Sequence, residues 1–280
     1  KIGIIFVFFI LLMSLTSCST NFERVEVPIR PESASSEADK NNPELGIQSV
    51  IEEEKYQTVA VHYPVTGYEE VDNTLSAFAS NSIELFKQET ANTYRNHEDN
   101  WPYELHIDYE IVLKTSRHLS VLFRESKYLG GPQSVSKIYT FNFNLEKGKE
   151  LALKDLFKSS PRYLEIMSEY VYDQLIDSNV FGVKLERYWV IQGTNALESN
   201  YKHFLFSEGG IIVMLDKNQV GPASIGEPQI FIPFEVFTAH IDLKEDVDDL
   251  NNIATTEPDT AQADMSGTGQ SKPYDSDLQN

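Results

Sequence analysis

The chain has 280 residues, and 43 acidic against 23 basic side chains give it a formal net charge of −20. Hydrophobic residues make up 41% and aromatic residues 11% of the sequence, which is enough to form a folded core and excludes wholesale disorder. Phosphate backbones and anionic lipids repel so acidic a chain, so the composition argues against nucleic-acid binding and against electrostatic attachment to a membrane surface.

The first residues have the composition of a secretion signal. Residues 2–13 are uncharged and apolar, and as a helix they would reach about 18 Å, which is short of the roughly 30 Å hydrocarbon core of a bilayer. We therefore predict a signal peptide over residues 1–17 rather than a membrane span. Residues 15–18 read Leu-Thr-Ser-Cys and resemble a bacterial lipobox.

Cys18 is the only cysteine in the chain. We predict that it is lipidated, which leaves no thiol for a disulfide, a metal site or a nucleophile. The residue that follows, Ser19, is not the Asp of the lipoprotein-sorting pattern, and this implies the outer membrane in a cell with two membranes. The expected location is the cell envelope, outside the cytoplasm, with the chain held to the membrane by its lipid anchor.

Two polar, acidic segments flank the part that is expected to fold. Residues 18–54 carry nine acidic and three basic side chains without a sustained apolar period, so we predict a disordered acidic linker. Residues 242–280 carry ten acidic and two basic side chains, and we predict a disordered acidic tail. Because the flanks hold most of the net charge, the surface between them is only weakly acidic.

Between the flanks, the hydrophobic pattern changes between strand and helix periods. Val59, Val61 and Tyr63 alternate as in a strand, and residues 71–94 then place apolar side chains on one face of a long helix. Further strands are predicted over 103–113, 119–123, 139–145, 204–206, 211–215 and 229–232, and further helices over 161–175 and 234–240.

Strands in groups with helices between them predict an α+β fold. We expect antiparallel sheets with packed helices, because the strands alternate between apolar and polar side chains as in sheets with one buried face. The predicted organisation has two intimately associated modules, an N-terminal module over residues 55–115 and a C-terminal module over residues 116–241.

The sequence contains no common catalytic or nucleotide-binding motif. Its six histidines are scattered; His106 and His118 fall on polar strand positions and are interpreted as surface residues, and residues 97–99 (His-Glu-Asp) as a solvated loop. Asp108 and Glu110 share a strand face and would serve acid–base chemistry only in a cleft that holds them about 5 to 9 Å apart. We predict no catalytic residue, no metal ligand and no cofactor.

Two glycine-containing connections, at 128–134 and 220–226, are the candidate ligand-binding segments. Both are typical of structural turns. The functional interpretation is that the two loops form one recognition edge, because loops on rigid sheets commonly carry binding residues. The candidate residues in them are Tyr128, Gly130, Gly131, Gln133, Gly221 and Pro222.

Several segments resemble one known domain. The segments that carry the resemblance are 119–123 (Leu-Ser-Val-Leu-Phe), 128–131 (Tyr-Leu-Gly-Gly), 141–145 (Phe-Asn-Phe-Asn-Leu), 148–149 (Gly-Lys) and 153–157 (Leu-Lys-Asp-Leu-Phe). They are similar to the domain of unknown function shared by RsiV-type anti-sigma factors and PdaC-type peptidoglycan deacetylases. Residues 220–226 and 232–234 resemble the closing motif of that domain, and residues 56–94 resemble its N-terminal partner module.

The resemblance implies binding rather than a reaction. In RsiV-type proteins the domain binds lysozyme, and in the deacetylases it precedes a separate catalytic domain. We therefore expect a non-catalytic lipoprotein that binds a lysozyme-like protein or peptidoglycan glycan. Two alternatives stay open: a carbohydrate-acting hydrolase that uses paired carboxylates, and a structural envelope component whose acidic tail contacts other proteins.

Overall fold

Two β-sheets organise the part of the chain that the computed structural model describes, which is residues 45–91, 102–158, 162–176, 183–244 and 250. These residues all belong to one unit, Asp39–Asn280. The predicted signal peptide, Cys18, most of the predicted linker and tail, and the cluster at 97–99 lie outside the described residues.

The larger sheet has six strands in the order of the sequence, and the smaller sheet has three. The strands of the larger sheet are β1 (Gly46–Glu53), β2 (Gln57–Val65), β3 (Tyr103–Lys114), β4 (His118–Tyr128), β5 (Val135–Asn144) and β6 (Lys149–Glu150). The smaller sheet contains β7 (Phe204–Ser207), β8 (Gly210–Met214) and β9 (Gln229–Pro233).

Among the described residues, the α-helices α1 (Glu69–Ala91), α2 (Arg162–Ile176), α3 (Arg187–Thr194) and α4 (Phe234–Thr238) pack on these sheets. Short 3-10 helices cover Leu153–Leu156, Glu198–Tyr201 and Ala223–Ile225. Within the described residues, no helix is both long enough and apolar enough to pass through a bilayer. The mixture of sheets and helices confirms the predicted α+β class.

The connection from β2 through α1 to β3 makes these two strands parallel, whereas the other neighbouring strands pair antiparallel. Antiparallel pairing was expected throughout, but a connection that contains a long helix allows a parallel return to the same sheet. The carboxylate of Asp72 in the first turn of α1 accepts hydrogen bonds from the backbone N–H groups of Thr66 (2.6 Å) and Gly67 (3.0 Å). These bonds stabilise the turn between β2 and α1, where the connection from β2 to β3 begins.

Helix α1 covers one face of the six-stranded sheet. The contact is apolar, and burial of each large side chain in it stabilises the fold by about 1.5 to 3 kcal/mol. Its fully buried members are Val59, Val61, Val71, Leu75, Phe86, Ile107, Leu119, Val121 and Phe123.

The three-stranded sheet packs on the opposite face of the six-stranded sheet. Its apolar contact is small, with Leu122 and Ile138 buried against Leu205 and Met214. On its other side, the three-stranded sheet packs against α2, α3 and α4. That second core includes Met167, Val171, Val190, Phe206, Ile211, Val213, Ile232, Phe234 and Phe237.

A buried polar network joins the two sheets. Asn142 Nδ2 donates to the carbonyl oxygen of Phe204 at 2.8 Å, and its Oδ1 accepts from the Ser120 hydroxyl at 2.6 Å and from the Phe206 N–H at 3.0 Å. We call these groups the Asn142 network. Since β7 is an edge strand, the network satisfies backbone groups that would otherwise lack partners in the interior.

The folded part begins earlier and ends later than predicted. Strand β1 lies inside the predicted linker at 18–54, yet it pairs with β2 over its whole length. Because most of its side chains are exposed, its hydrophobic signal is weak. At the other end, Leu243 forms a bridge with Phe157, and Leu243 and Leu250 are buried, so the predicted tail at 242–280 begins with packed residues.

Two further expectations are corrected. The predicted module boundary between residues 115 and 116 falls between β3 and β4, which are neighbours in one sheet. His118, which was expected on the surface, is fully buried and packs edge-on against Phe206 with ring centroids 5.7 Å apart. The polar side of β4 faces the three-stranded sheet there, and strand alternation alone cannot show that a second sheet covers it.

Candidate functional site

The first cleft lies where β5 and β6 meet α2 and the segment before β7, and it has a volume of about 410 Å³. We call it the Tyr163 cleft. Its lining includes Glu150, Lys154, Tyr163, Glu198, Tyr201 and Phe204. Tyr201 and Phe204 are almost fully buried and give the cleft an apolar floor, and the two carboxylates and the lysine surround it.

Hydrogen bonding and burial set the protonation states of the tyrosine and glutamate side chains in this cleft. The Tyr163 hydroxyl donates to the Glu198 carboxylate at 3.2 Å. Burial, and then the negative charge of Glu198, raise the pKa of Tyr163 to about 12, so the phenol is a donor at neutral pH. Glu150 also lines the cleft, and desolvation raises the pKa of its carboxyl group. The cleft therefore holds two carboxyl groups in different environments.

Lys154 lies in the 3-10 helix Leu153–Leu156, and contacts of the neighbouring Asp155 hold this segment in place. The Asp155 carboxylate accepts a hydrogen bond from the Ala152 N–H at 3.1 Å and pairs with Lys149 at 3.4 Å and Lys244 at 3.8 Å. Lys202, which also lines the cleft, is engaged by Asp216 at 2.6 Å. Lys154 is thus the basic side chain of the cleft that these ion pairs leave available for an anionic ligand.

A second cleft, of about 540 Å³, lies between strands β3–β5 and the segment at 223–227. We call it the His106 cleft. Charged or titratable side chains dominate its lining: His106, Asp108, Arg124, Lys137, Lys217 and Glu227. Arg124 pairs with Glu227 at 3.6 Å, and His106 Nε2 lies 3.3 Å from Asp108 Oδ2. His106, Asp108 and Arg124 are about half exposed, so these pairs contribute little to stability.

The first predicted connection forms the turn between β4 and β5. Gly130 has φ of +78°, a backbone conformation that glycine adopts without strain. Tyr128 is the half-buried last residue of β4, and Gly131 and Gln133 are exposed. A turn role accounts for Gly130, and a ligand-binding role for these residues stays a prediction.

The second predicted connection packs more tightly. A Cβ on Gly221 would lie 2.8 Å from Ile225 Cδ1 and 2.9 Å from Leu185 Cδ2, so only glycine fits without a shift. Pro222 directly precedes the 3-10 helix at Ala223–Ile225.

None of the six candidate residues lines the Tyr163 cleft or the His106 cleft. Their neighbours do: the segment at 223–227 and the strands on both sides of the β4–β5 turn contribute to the His106 cleft. A ligand-binding role for Gly221 and Pro222 therefore also stays a prediction.

Sequence reasoning missed the residues of the Tyr163 cleft. Glu150, Tyr163 and Glu198 come from three separate segments, and no spacing rule connects them. One local signal existed: Lys154 stands next to buried Leu153 in a short apolar segment, which is typical of a polar side chain turned away from a core.

Two family models match the chain. The model described as "Deacetylase PdaC" matches residues 50–136, and the model described as "Protein of unknown function (DUF3298)" matches residues 154–235. The fold is α+β, and these matches support a PdaC/DUF3298 domain architecture, which confirms the predicted PdaC-type resemblance at that level. The specifically RsiV-type character stays a prediction. The first match lies within the six-stranded sheet, and the second begins after β6.

Among curated proteins, the chain is 29% identical over 186 residues to the peptidoglycan-N-acetylmuramic acid deacetylase PdaC of Bacillus subtilis (strain 168). The alignment covers 66% of this chain and 39% of that protein, so the chain spans well under half the length of this relative.

Two solved structures of DUF3298 family members are similar to the chain. A member of the DUF3298 family from Bacteroides fragilis is similar with a TM-score of 0.55 and 16% identity, over 77% of this chain and 100% of that one. A DUF3298 family protein from Pseudomonas aeruginosa gives a TM-score of 0.49 and 11% identity, over 74% of this chain and 98% of that one. The first of these supports the α+β architecture described above.

Proposed function

We propose that this is an extracytoplasmic, cell-wall-associated protein that binds peptidoglycan glycan in the Tyr163 cleft without cleaving it. The relative that acts on peptidoglycan supports the ligand class. The observation that carries the proposal is the cleft itself, in which an apolar floor is lined by Glu150, Lys154 and Glu198 at the junction of the six-stranded sheet with the region that the DUF3298 model matches. Ligand sites often occur at such junctions.

The chemistry of a muramyl sugar fits this lining. Where no stem peptide is attached, its lactyl group carries a free carboxylate, which would pair with Lys154 through a charge-assisted hydrogen bond. Its hydroxyl and amide N–H groups would donate to Glu150 and Glu198. The carbon face of the ring would lie over the apolar floor, where Tyr201 and Phe204 are buried.

Calorimetric titration with a purified peptide-free disaccharide of N-acetylglucosamine and N-acetylmuramic acid, whose lactyl carboxylate is free, tests the proposal. Lys154→Met is expected to weaken binding about tenfold or more, because a hydrogen bond to a charged group contributes about 1.5 to 3 kcal/mol. The matched control is Lys217→Met, which removes a lysine from the His106 cleft and should leave the affinity unchanged. A wild-type chain that does not bind, or equal affinities for the two variants, would contradict the proposal.

A second candidate function is glycan hydrolysis, and the pair of carboxyl groups in the Tyr163 cleft favours it. Desolvation raises the pKa of Glu150, whereas Glu198 accepts a hydrogen bond from Tyr163. Glycosidases use two such carboxyl groups, one as acid and one as base or nucleophile. Release of new reducing ends from muropeptides, lost in both Glu150→Gln and Glu198→Gln, would establish hydrolysis and exclude simple binding.

The membrane anchor is part of the same proposal. Cys18 lies outside the described residues, so its lipidation and the outer-membrane location stay predictions. Metabolic labelling with a palmitate analogue should mark the wild-type chain, and Cys18→Ala should lose the label and leave the membrane fraction. Titration with a lysozyme-like protein in the same calorimeter tests the alternative ligand that the RsiV-type resemblance implies.

A further inference from the structure

An exposed cluster lies on the part of the six-stranded sheet that the three-stranded sheet does not cover. The three-stranded sheet packs on strands β3 to β5. His62 on β2 and His106 and Asp108 on β3 lie next to each other beyond that contact, beside the register pair Val61↔Ile107. We infer that these three side chains form a binding site for a divalent transition-metal cation, zinc in the first instance.

The distances fit such a site. One candidate ligand atom of each residue lies within 4.8 Å of the others, and His106 Nε2 is 3.3 Å from Asp108 Oδ2. Ligand atoms of tetrahedral zinc lie roughly 3.3 to 3.5 Å from one another, so closing the site needs about 1 Å of side-chain movement. The side chains of His106 and Asp108 are 53% and 57% exposed, so this movement disturbs no packed core.

A third strand orients one of the ligands. Ser49 Oγ on β1 lies 2.7 Å from His62 Nδ1 and forms a hydrogen bond with it. Metal-binding histidines usually have their second ring nitrogen held in this way, which fixes the orientation of the ring. The bond leaves His62 Nε2 as the candidate ligand atom.

The donor set selects the class of cation. Two imidazoles and one carboxylate suit Zn²⁺, with Ni²⁺ and Cu²⁺ as competitors, whereas Mg²⁺ and Ca²⁺ prefer oxygen ligands. Three protein ligands leave a coordination position for water or for an external ligand. Arg124 stands opposite Asp108 in the β3–β4 register, but it pairs with Glu227, so the Asp108 carboxylate is available for a cation.

The test measures binding of Zn²⁺ alone to the full chain, freed of any histidine tag and stripped of metal with a chelator. Calorimetry should show one equivalent bound, and Co²⁺ in place of zinc should give visible absorption bands typical of low coordination number. His106→Gln and Asp108→Asn are each expected to lower the affinity roughly tenfold or more, because each removes one of three ligands. His62→Gln should act in the same way.

The matched control is His240→Gln, which removes an exposed histidine outside the cluster and should leave zinc binding unchanged. The inference is overturned if the wild type does not bind zinc, or if His106→Gln and Asp108→Asn bind it as tightly as the wild type. It is also overturned if binding is lost only in a His97→Gln variant. Circular dichroism checks that each variant is folded. If one of the three ligand variants, His62→Gln, His106→Gln or Asp108→Asn, does not fold, the other two still test the inference.

The zinc site stands apart from the glycan proposal, since the Tyr163 cleft contains none of its residues. The affinity for the peptide-free disaccharide measured in the presence of chelator should therefore equal the affinity measured with zinc. Failure of the glycan titration leaves the zinc titration interpretable, and the reverse also holds.

Discussion

The two faces of the six-stranded sheet are held to their neighbours by different forces. Against α1 the contact is a continuous apolar core that includes Leu75, Phe86 and Phe123. Against the three-stranded sheet only a small apolar cluster forms, and the Asn142 network supplies directed hydrogen bonds. Apolar area stabilises without specifying direction, whereas hydrogen bonds fix which groups meet. Helix α1 therefore mainly supplies stability, and the Asn142 network mainly fixes the docking of β7.

The largest expected effect is on the α1 side. Phe123→Ala should lower the free energy of unfolding by about 3 to 5 kcal/mol, because it leaves a cavity beside Phe78 and Phe141, whose rings contact it. Urea denaturation followed by circular dichroism measures this loss. Leu85→Ala, at an exposed position of α1, is the control and should change stability little. Equal losses in the two variants would refute the apolar account of this face.

The Asn142 network should give the next largest effect. Asn142→Leu keeps a similar volume but removes the partners of the Phe204 carbonyl and of the Ser120 hydroxyl, at a cost of about 2 to 4 kcal/mol. Faster hydrogen exchange at the Phe206 amide, relative to amides in β3, should accompany the loss. Ser136→Ala, at an exposed position of the same strand, is the control. The Phe206 N–H also donates to the Ser120 hydroxyl oxygen at 2.9 Å. A free energy of unfolding equal to that of the wild type would therefore be the result that contradicts a docking role for Asn142.

A smaller, pH-dependent effect is expected where β7 begins. Burial lowers the pKa of His203, although the Asp216 carboxylate, 3.3 Å away, partly opposes the shift. Because the unfolded chain takes up this proton first, stability contributed by neutral His203 is present above about pH 6.5 and is lost as the pH falls below that value.

His203→Gln should therefore flatten the loss of stability between pH 7 and pH 5. Thermal unfolding at a series of pH values measures the slope, with His240→Gln as the control for an exposed histidine. A steeper slope in His203→Gln would mean that the Asp216 interaction outweighs burial.

The smallest effect is expected on the uncovered part of the sheet. Ile51 on β1 is 64% exposed, so Ile51→Ser should change the free energy of unfolding by less than about 0.5 kcal/mol. Thermal unfolding is again the measurement. A loss above 1 kcal/mol would show that this surface is covered by a part of the chain outside the described residues or by a second molecule.

Periodicity predicted the elements that bury one regular face. The alternation in β3 and the helical spacing in α1 are confirmed because apolar burial dominates both. Periodicity failed for β1, whose side chains are mostly exposed, and for α3, where Tyr188 and Trp189 are exposed and only Val190 is a large buried apolar residue. The parallel pairing of β2 with β3 depends on the path of α1 and leaves no local signal.

The candidate sites were less predictable than the fold. Both clefts and the zinc cluster assemble side chains from separate strands, helices and turns, and their contacts depend on packing between layers. His62 and His106 are 44 positions apart in sequence and meet because their strands are neighbours. Glycine spacing, in contrast, is a local signal, and it identified two turns, whose ligand-binding role stays a prediction.

The position of β1 has a mechanical consequence. This strand is the first described element, lies at the margin of its sheet, and meets its single partner antiparallel from Gly46↔Val65 to Glu53↔Thr58. A pull applied upstream of residue 45 would load the rungs one after another rather than all together, so β1 would unzip at low force while β2 stayed in place. Its eight residues would release roughly 27 Å of extended chain, and this added length would relieve the tension before the force reaches the core.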